Sequence, residues 1–168
     1  MPRKQSLPSL LRRIQLLLLD VDGVMTDGGL FFSSSGEEFK KFNVQDGYGI
    51  AKLQRAGIKV GIITGRVSLI VKRRAEELGI EEVYQNIENK IDAYESIKKK
   101  FRITDREIAY IGDDEFDIPV LTCAGFSAAP ADAAPLVKKH VQYICRLGGG
   151  NGAVREVIEL LLKYQKKK

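Results

Sequence analysis

The stretch that decides the fold is Leu16-Leu17-Leu18-Leu19-Asp20-Val21-Asp22-Gly23-Val24. Its uninterrupted apolar run is typical of a strand buried on both faces of a parallel sheet. In such sheets ligands bind beyond the carboxyl ends of the strands, which is where Asp20 and Asp22 stand. Because aspartates also form ordinary surface turns, this stretch alone does not assign a site. The ends of the other strands decide its meaning.

Beyond this strand, strand-like and helix-like segments alternate along the chain. The predicted strands are residues 58–63, 82–85, 107–111, 125–128 and 142–144, and the predicted helices are residues 68–78, 90–101, 116–123 and 153–164. This order predicts an α/β fold, in which a doubly wound, Rossmann-like parallel sheet lies between two helical layers. No repeat, low-complexity tract or linker interrupts the 168 residues, so we expect a single domain over 1–168.

One segment, between Thr26 and Val44, departs from the alternation. Two short aromatic runs, residues 30–32 and 37–42, flank Ser33-Ser34-Ser35-Gly36, a pattern typical of a β-hairpin. We expect a hairpin flap at about residues 28–43, too short to form a second, capping domain. Because a lone hairpin is marginally stable, its phenylalanines are expected to pack either on the rest of the chain or on a neighbouring subunit.

The composition, 44% hydrophobic and 29% charged, is that of an ordinary soluble globular protein. The apolar runs are shorter than the roughly 20 residues of a membrane-spanning helix, so we expect a cytoplasmic protein without signal peptide or membrane insertion. Residues 1–13 and 160–168 hold eight basic residues, including Arg3, Lys4 and Lys166–Lys168, and no acidic one. The rest of the chain therefore carries 19 basic against 22 acidic residues, and no nucleic-acid partner is expected.

The cysteines give no sign of a metal site. Cys123 and Cys145 lie in apolar contexts, and His140 is the single histidine, which leaves too few ligands for zinc. We expect both thiols in the core and the histidine on the surface.

Two further element ends carry groups that can hold phosphate oxygens. The strand ending at Ile63 runs into Thr64-Gly65-Arg66, which places a hydroxyl and a closely approachable backbone amide at a carboxyl end. Asn89 is expected to cap a helix that starts at Lys90, whose ammonium would then point back over the sheet edge.

The most informative strand end is Gly112-Asp113-Asp114-Glu115-Phe116-Asp117. Four acids within a few residues repel one another and raise their pKa values unless a cation is present. Oxygen ligands without histidine favour a hard cation, and the one that also binds phosphate oxygens is Mg²⁺. We therefore expect Mg²⁺ as the cofactor.

Taken in order, Asp20-x-Asp22, Thr64, Lys90 and Gly112-Asp113-Asp114-x-x-Asp117 resemble the four motifs of the haloacid dehalogenase superfamily of phosphotransferases. The resemblance implies that Asp20 attacks phosphorus to form an aspartyl phosphate. It implies that Asp22 first protonates the leaving oxygen and then activates water.

The same resemblance implies the ligands of the metal and of the phosphate. Mg²⁺ would be held by the carboxylates of Asp20 and Asp113 and by the backbone carbonyl of Asp22. Thr64 and Lys90 would hold the phosphate oxygens, and the outer residues Asp114 and Asp117 would position metal waters and Lys90.

Four longer stretches are similar to the 3-deoxy-D-manno-octulosonate 8-phosphate phosphatases: Asp20–Gly28, Phe42–Gly49, Ile63–Arg66 and Gly148–Glu156. This family makes a sugar acid, Kdo, for lipopolysaccharide. It implies a capless homotetramer, assembled through the flap hairpin, in which a neighbouring subunit closes the active site. It also implies a mobile C-terminal tail at about residues 146–168, hinged at the glycines 148–152.

The substrate-binding residues that this resemblance implies are Thr64, Gly65, Arg66, Lys90 and Asp46. The chain departs from the family at Gln45 and Asn151, where many members have arginine. Because arginine is the natural partner of the sugar carboxylate, we expect Arg66, with Lys40 or Lys41 in support, to supply that charge.

Three other functions remain open. A phosphatase for a nine-carbon ketoacid phosphate would use the same chemistry, although Arg66 favours the eight-carbon sugar. A receiver domain would need an acceptor aspartate on a later strand, where this chain has Ile62-Ile63-Thr64. A non-catalytic module on this fold would lack the nucleophile or the acid, and the chain retains both Asp20 and Asp22.

Overall fold

The computed structural model describes residues 6–36 and 38–165. The predictions for Arg3, Lys4 and Lys166–Lys168 at the termini, and for Glu37 in the hairpin, lie outside the described residues. Over the described part of the chain, no helix combines the length and the apolar character needed to cross a membrane.

A six-stranded parallel sheet forms the centre of the molecule. In chain order the strands of the described residues are β1 (Leu16–Leu19), β2 (Phe31–Phe32), β3 (Glu38–Phe39), β4 (Lys59–Ile63), β5 (Glu82–Tyr84), β6 (Ile108–Ile111), β7 (Phe126–Ala129) and β8 (Tyr143–Ile144). The six strands of the central sheet lie in the order β5-β4-β1-β6-β7-β8, and β2 and β3 form a separate pair. In the register of the sheet, Leu19 at the end of β1 lies between Ile62 of β4 and Ile111 of β6. The ends of these three strands are therefore neighbours.

Helices cover both faces of this sheet. They are α1 (Leu7–Leu11), α2 (Val44–Arg55), α3 (Leu69–Glu77), α4 (Lys90–Phe101), α5 (Ile118–Cys123), α6 (Pro135–Lys138) and α7 (Ala153–Tyr164). Leu17 and Leu19 of β1 belong to the core cluster that includes residues of α2 and α7. Leu16 and Leu18 belong to the opposite cluster with residues of α4 and α5. The predicted three-layer α/β fold is confirmed.

Helix α2 was not predicted from the sequence, because Gly47 and Gly49 weaken both its helix propensity and its apolar pattern. Both glycines face closely packed neighbours. A Cβ on Gly47 would lie 2.4 Å from Nη2 of Arg74, at the end of a flexible side chain, and one on Gly49 would lie 2.7 Å from Cδ and 3.6 Å from Cα of Arg155. Neighbouring helices therefore approach α2 across its glycines.

The segment after β1 contains an antiparallel pair of short strands. Phe31 of β2 pairs with Phe39 of β3. Phe31, Phe32 and Phe39 are 59%, 64% and 58% exposed, so the rest of their own chain leaves most of their surface uncovered.

The glycine-rich segment 148–152 lies against the loop after β1. A Cβ on Gly149 would lie 1.9 Å from the carbonyl oxygen of Gly23, and the Gly150 amide donates to the Val24 carbonyl at 3.0 Å. Glycine is required here for close backbone approach. The segment leads directly into α7, which packs on α2. The hinge at these glycines and the mobility of the tail stay predictions.

The two cysteines differ in exposure. Cys145 is buried and His140 is exposed, as expected, but Cys123 is exposed, so its assignment to the core was wrong. Cys123 is the last residue of α5, where Val120 and Leu121 face the core instead.

Candidate active site

One cavity of about 490 Å³ lies at the carboxyl edge of the sheet. The chain reaches it from the ends of β1, β4 and β6 and from the first residue of α4. Nine of the ten residues predicted for the site line it: Asp20, Asp22, Thr64, Gly65, Arg66, Lys90, Asp113, Asp114 and Asp117. The sheet order explains this grouping, since β1 lies between β4 and β6.

Lys90 joins two carboxylates at the bottom of this cavity. Its Nζ lies 2.9 Å from Oδ2 of Asp20 and 2.7 Å from Oδ1 of Asp117. The other Asp20 oxygen accepts a hydrogen bond from the Val21 amide at 2.7 Å. All three charged side chains are buried, so little water is available to stabilise their charges. The ammonium of Lys90 therefore offsets the charge of both carboxylates.

Asp117 has donors on both of its carboxylate oxygens. Oδ2 accepts from the amides of Asp113 and Asp114, at 3.0 and 3.2 Å. Oδ1 accepts from the hydroxyl of Tyr110 at 2.5 Å as well as from Lys90. Sequence reasoning missed Tyr110, although a tyrosine within a buried apolar strand signals a hydroxyl in need of a partner.

Asp113 carries the best indication of a cation. Its Oδ1 is buried and has no hydrogen-bond partner within the described residues. Its Oδ2 occupies the space beside Gly23, where a Cβ would lie 2.0 Å away, and Gly23 has a φ of +82°. Oxygen atoms of Asp20, Asp113 and Asp117 all lie within 4.8 Å of one another. Asp117 has two donors on each of its oxygens, whereas Asp20 has one on each and Asp113 Oδ1 has none among the described residues. Asp20 and Asp113 therefore fit a hard divalent cation best.

The pKa values of these groups also favour a cation at this site. Burial, together with the charge of Asp117, raises the pKa of Asp20 above its usual range. Burial and the charge of Asp20 likewise raise the pKa of Asp113. Burial opposes the charge of Lys90, but Asp20 and Asp117 outweigh it and raise the pKa of Lys90. A divalent cation would stabilise the ionised form of both acids.

Asp22 lies nearer the mouth of the cavity and is paired with the hairpin. Its carboxylate forms an ion pair with Lys40, whose side chain is fully buried, and lies 3.8 Å from Nε of Arg66. Lys41 instead pairs with Asp27 at 2.8 Å, so Lys40 is the hairpin lysine that reaches the site. Local spacing gave no sign of this contact across 18 residues.

Three further predicted residues have local roles. Thr64 is buried, and its hydroxyl oxygen accepts from the Arg66 amide at 3.4 Å. Asp114 accepts from the amide of Glu115 at 2.7 Å, within its own turn. Asn89 stands at the start of α4 as expected, but its side chain donates to Asp92 and makes no capping bond to the backbone.

Asp46 is the one predicted site residue that does not line this cavity. It is buried outside the cavity, and its Oδ1 accepts from the Arg155 amide at 2.7 Å, in the first turn of α7. Its carboxylate thus holds the start of α7 against α2. Gln45 and Asn151, the two departures from the family, line a different hollow beside Asn43.

Comparisons with known proteins agree with this geometry. A sequence profile of haloacid dehalogenase-like hydrolases matches residues 49–125. The 3-deoxy-D-manno-octulosonate 8-phosphate phosphatase of Escherichia coli K12 is 47% identical over 154 residues, which cover 92% of this chain and 82% of that protein.

Two solved structures are also similar. The phosphatase of the same name from Yersinia pestis has a TM-score of 0.93 at 45% identity, over 95% of this chain and 86% of that one. The Moraxella catarrhalis phosphatase was solved with a magnesium ion, a phosphate ion and a KDO molecule. It has a TM-score of 0.93 at 42% identity, over 95% of this chain and 91% of that one.

The fold and the acidic cavity, taken with these similarities, place the chain among the haloacid dehalogenase-like hydrolases. Within that class of enzymes it belongs to the family of the 3-deoxy-D-manno-octulosonate 8-phosphate phosphatases. The family resemblance found in the sequence is confirmed, and a receiver domain is excluded.

Proposed function

We propose that the protein is a Mg²⁺-dependent phosphatase that hydrolyses 3-deoxy-D-manno-octulosonate 8-phosphate to Kdo and inorganic phosphate, in the cytoplasmic synthesis of lipopolysaccharide precursors. The observation that carries the proposal is the arrangement of Asp20, Lys90 and Asp113 in one cavity, with Asp113 Oδ1 unpartnered among the described residues. The substrate rests on the family, whose named members act on this sugar phosphate.

The first half of the reaction transfers the phosphoryl group to the protein. The Asp20 carboxylate attacks phosphorus, and the bond between phosphorus and the sugar oxygen breaks. Asp22, in its protonated form, gives its proton to the departing oxygen, so the sugar leaves as a neutral hydroxyl.

The second half releases phosphate. Asp22, now ionised, takes a proton from a water molecule that attacks the aspartyl phosphate. The bond between phosphorus and Asp20 breaks, and both side chains return to their starting states. The ammonium of Lys90 and the hydroxyl of Thr64 hold the non-bridging oxygens of the phosphoryl group in both steps.

The residues present fit a magnesium ion held by the carboxylates of Asp20 and Asp113 and by the backbone carbonyl of Asp22. Mg²⁺ supplies positive charge that offsets the charge of the phosphoryl oxygens and of the two acids. We assign Asp114 and Asp117 to the surroundings of this site. Asp117 acts through its contact with Lys90.

The sugar acid would be recognised at the mouth of the cavity. Arg66 lines it with a side chain that is 47% exposed, so its guanidinium can pair with the substrate carboxylate. Lys40 supports this charge from the hairpin. We also propose a homotetramer in which the exposed phenylalanines of the hairpin pack on a neighbouring subunit.

The proposal is tested by release of phosphate from a panel of sugar phosphates with Mg²⁺ or with a chelator. We expect kcat/KM to be highest for the eight-carbon ketoacid 8-phosphate, and chelation to abolish turnover. A higher kcat/KM for a nine-carbon ketoacid 9-phosphate would contradict the substrate assignment. Undiminished turnover in the chelator would contradict the role of the metal.

A further inference from the structure

Tyr110 is a polar side chain in an otherwise apolar strand, below the floor of the cavity. All four residues of β6 are fully buried. The Tyr110 hydroxyl donates to Oδ1 of Asp117 at 2.5 Å, and the same oxygen accepts from Nζ of Lys90 at 2.7 Å. A neutral hydroxyl and an ammonium therefore share one carboxylate oxygen.

Lys90 in turn divides its ammonium between Asp117 and Asp20, at 2.7 and 2.9 Å. Asp117 cannot turn to find another donor, because its Oδ2 is held by two backbone amides. Loss of the Tyr110 donor would leave more negative charge unshared on Asp117 Oδ1. That charge would draw the ammonium toward Asp117 and away from Asp20, more strongly in a buried site than in water.

We propose that Tyr110 is a positioning residue for phosphoryl transfer: by sharing Asp117 Oδ1 with Lys90, its hydroxyl keeps the Lys90 ammonium directed toward Asp20 and the phosphoryl group. This inference rests on the proposed function, in which Lys90 holds phosphoryl oxygens. Tyr110 does not line the cavity, so it acts through Asp117 and Lys90 without touching the substrate.

The chain offers a matched control away from the site. The Tyr94 hydroxyl donates to Oδ1 of Asp105 at 2.9 Å, and Nζ of Lys98 donates to the same oxygen at 2.9 Å. Tyr94 is fully buried in the same core cluster as Tyr110. Neither Asp105 nor Lys98 lines the cavity. Tyr94→Phe therefore removes a tyrosine hydroxyl from a second group in which a tyrosine and a lysine donate to one aspartate oxygen.

The experiment compares Tyr110→Phe and Tyr94→Phe with the wild-type protein. Each is measured for its thermal midpoint, for the Kd of inorganic phosphate with Mg²⁺ by calorimetry, and for kcat and KM. Both variants keep the aromatic ring, and both are expected to lower the midpoint. Tyr110→Phe is expected to lower kcat about tenfold and to raise the phosphate Kd by a similar factor, the size of one hydrogen bond to a charged group. Tyr94→Phe is expected to leave both within about twofold of wild type.

Three results would overturn the proposal or separate it from the proposed function. If the two variants have equal kcat and equal phosphate Kd, the Tyr110 hydroxyl has only a structural role, and the proposal is overturned. Phosphate binding by a wild-type protein that does not hydrolyse the sugar phosphate would overturn the substrate assignment, and the phosphate Kd of the variants would still decide the role of Tyr110. A wild-type protein that neither binds phosphate nor hydrolyses the sugar phosphate would overturn both.

A crystal structure of Tyr110→Phe gives a second, direct measurement. We expect the distance from Nζ of Lys90 to Oδ2 of Asp20 to exceed the 2.9 Å of the wild type. An unchanged distance would contradict the proposed path from Tyr110 to Lys90.

Discussion

Asp20 and Asp113 place two carboxylates in one site, where burial raises the pKa of both and the charge of Asp20 raises that of Asp113 further. Asp117, although close to both, is held by four donors and is the better positioned to orient Lys90. The division of labour among these three acids follows from their hydrogen bonds. Asp113 Oδ1 is buried and has no hydrogen-bond donor among the described residues.

The raised pKa values of Asp20 and Asp113 predict how Mg²⁺ stabilises the protein at different pH. Between the ordinary carboxyl pKa and the raised values, the folded state keeps protons that the unfolded state has lost. The free energy of unfolding of the metal-free protein therefore loses the contribution of these two acids as the pH rises. We expect the rise in Tm caused by Mg²⁺ to be larger at pH 8 than at pH 5, by several degrees if about 1 kcal/mol is involved.

Thermal unfolding at several pH values, with and without Mg²⁺, measures this effect. In Asp113→Asn, the rise in Tm caused by Mg²⁺ should lose most of its dependence on pH. In the control Asp92→Asn, a change on the exposed face of α4, that dependence should be kept. A Tm increment from Mg²⁺ that is constant with pH in the wild type would contradict the assignment of these acids to the metal.

The sequence predicted the position of most site residues because parallel strands present their carboxyl ends at one edge. Asp20, Thr64 and Asp113 could be grouped on that ground alone. The contacts of Tyr110 and Lys40 could not, since they depend on side chains that meet only in the fold. Nor could the contact of Asp46 with the Arg155 amide, which joins residues 109 positions apart, and the role of Asp46 toward the substrate stays a prediction.

At the scale of elements, the hairpin β2–β3 connects the mouth of the site with the outer surface. Lys40, directly after β3, pairs with Asp22, while the phenylalanines on the same hairpin remain exposed. A neighbouring subunit that covered these rings would therefore also hold Lys40 in place. The sequence predicted the hairpin from its turn and aromatic residues, but it left open which surface the rings contact.

We expect a double variant, Phe31→Ser with Phe39→Ser, to shift the protein toward smaller assemblies and to lower kcat/KM. Each buried phenylalanine contributes about 2 kcal/mol to an interface, so losing several per assembly is enough to dissociate it. Light scattering after size exclusion measures the mass, and Leu136→Ser, at an exposed apolar position on α6, is the control. A wild-type protein that is monomeric and fully active would refute the role given to the hairpin.

Helices α2 and α7 show where prediction of elements failed and succeeded. The apolar pattern of α7 is regular and was recognised, whereas the glycines of α2 interrupt its pattern and conceal a helix. The glycines 148–152 predict a hinge, although glycine permits both conformational freedom and close contact. In the fold they allow the backbone to lie against the loop after β1.

At the scale of the whole molecule, the order of the strands in the sheet brings the site residues together. Placing β1 between β4 and β6 brings Asp20, Thr64 and Asp113 to adjacent strand ends. The alternation of strands and helices predicted the layers, but the order of strands within the sheet is a long-range property that the local patterns did not supply. The site and the family then support one account, in which Asp20 carries the phosphoryl group between the sugar and water.

Trapping the phosphorylated protein tests this account most directly. The wild type and Asp20→Asn are mixed with the sugar phosphate and Mg²⁺, quenched with acid within one turnover, and digested for mass spectrometry. We expect the wild-type peptide that contains Asp20 to carry the mass of one phosphoryl group on that residue. The Asp20→Asn variant should show no phosphorylated peptide and no turnover. Turnover by Asp20→Asn at the wild-type rate, or a phosphoryl group on another residue, would contradict the account.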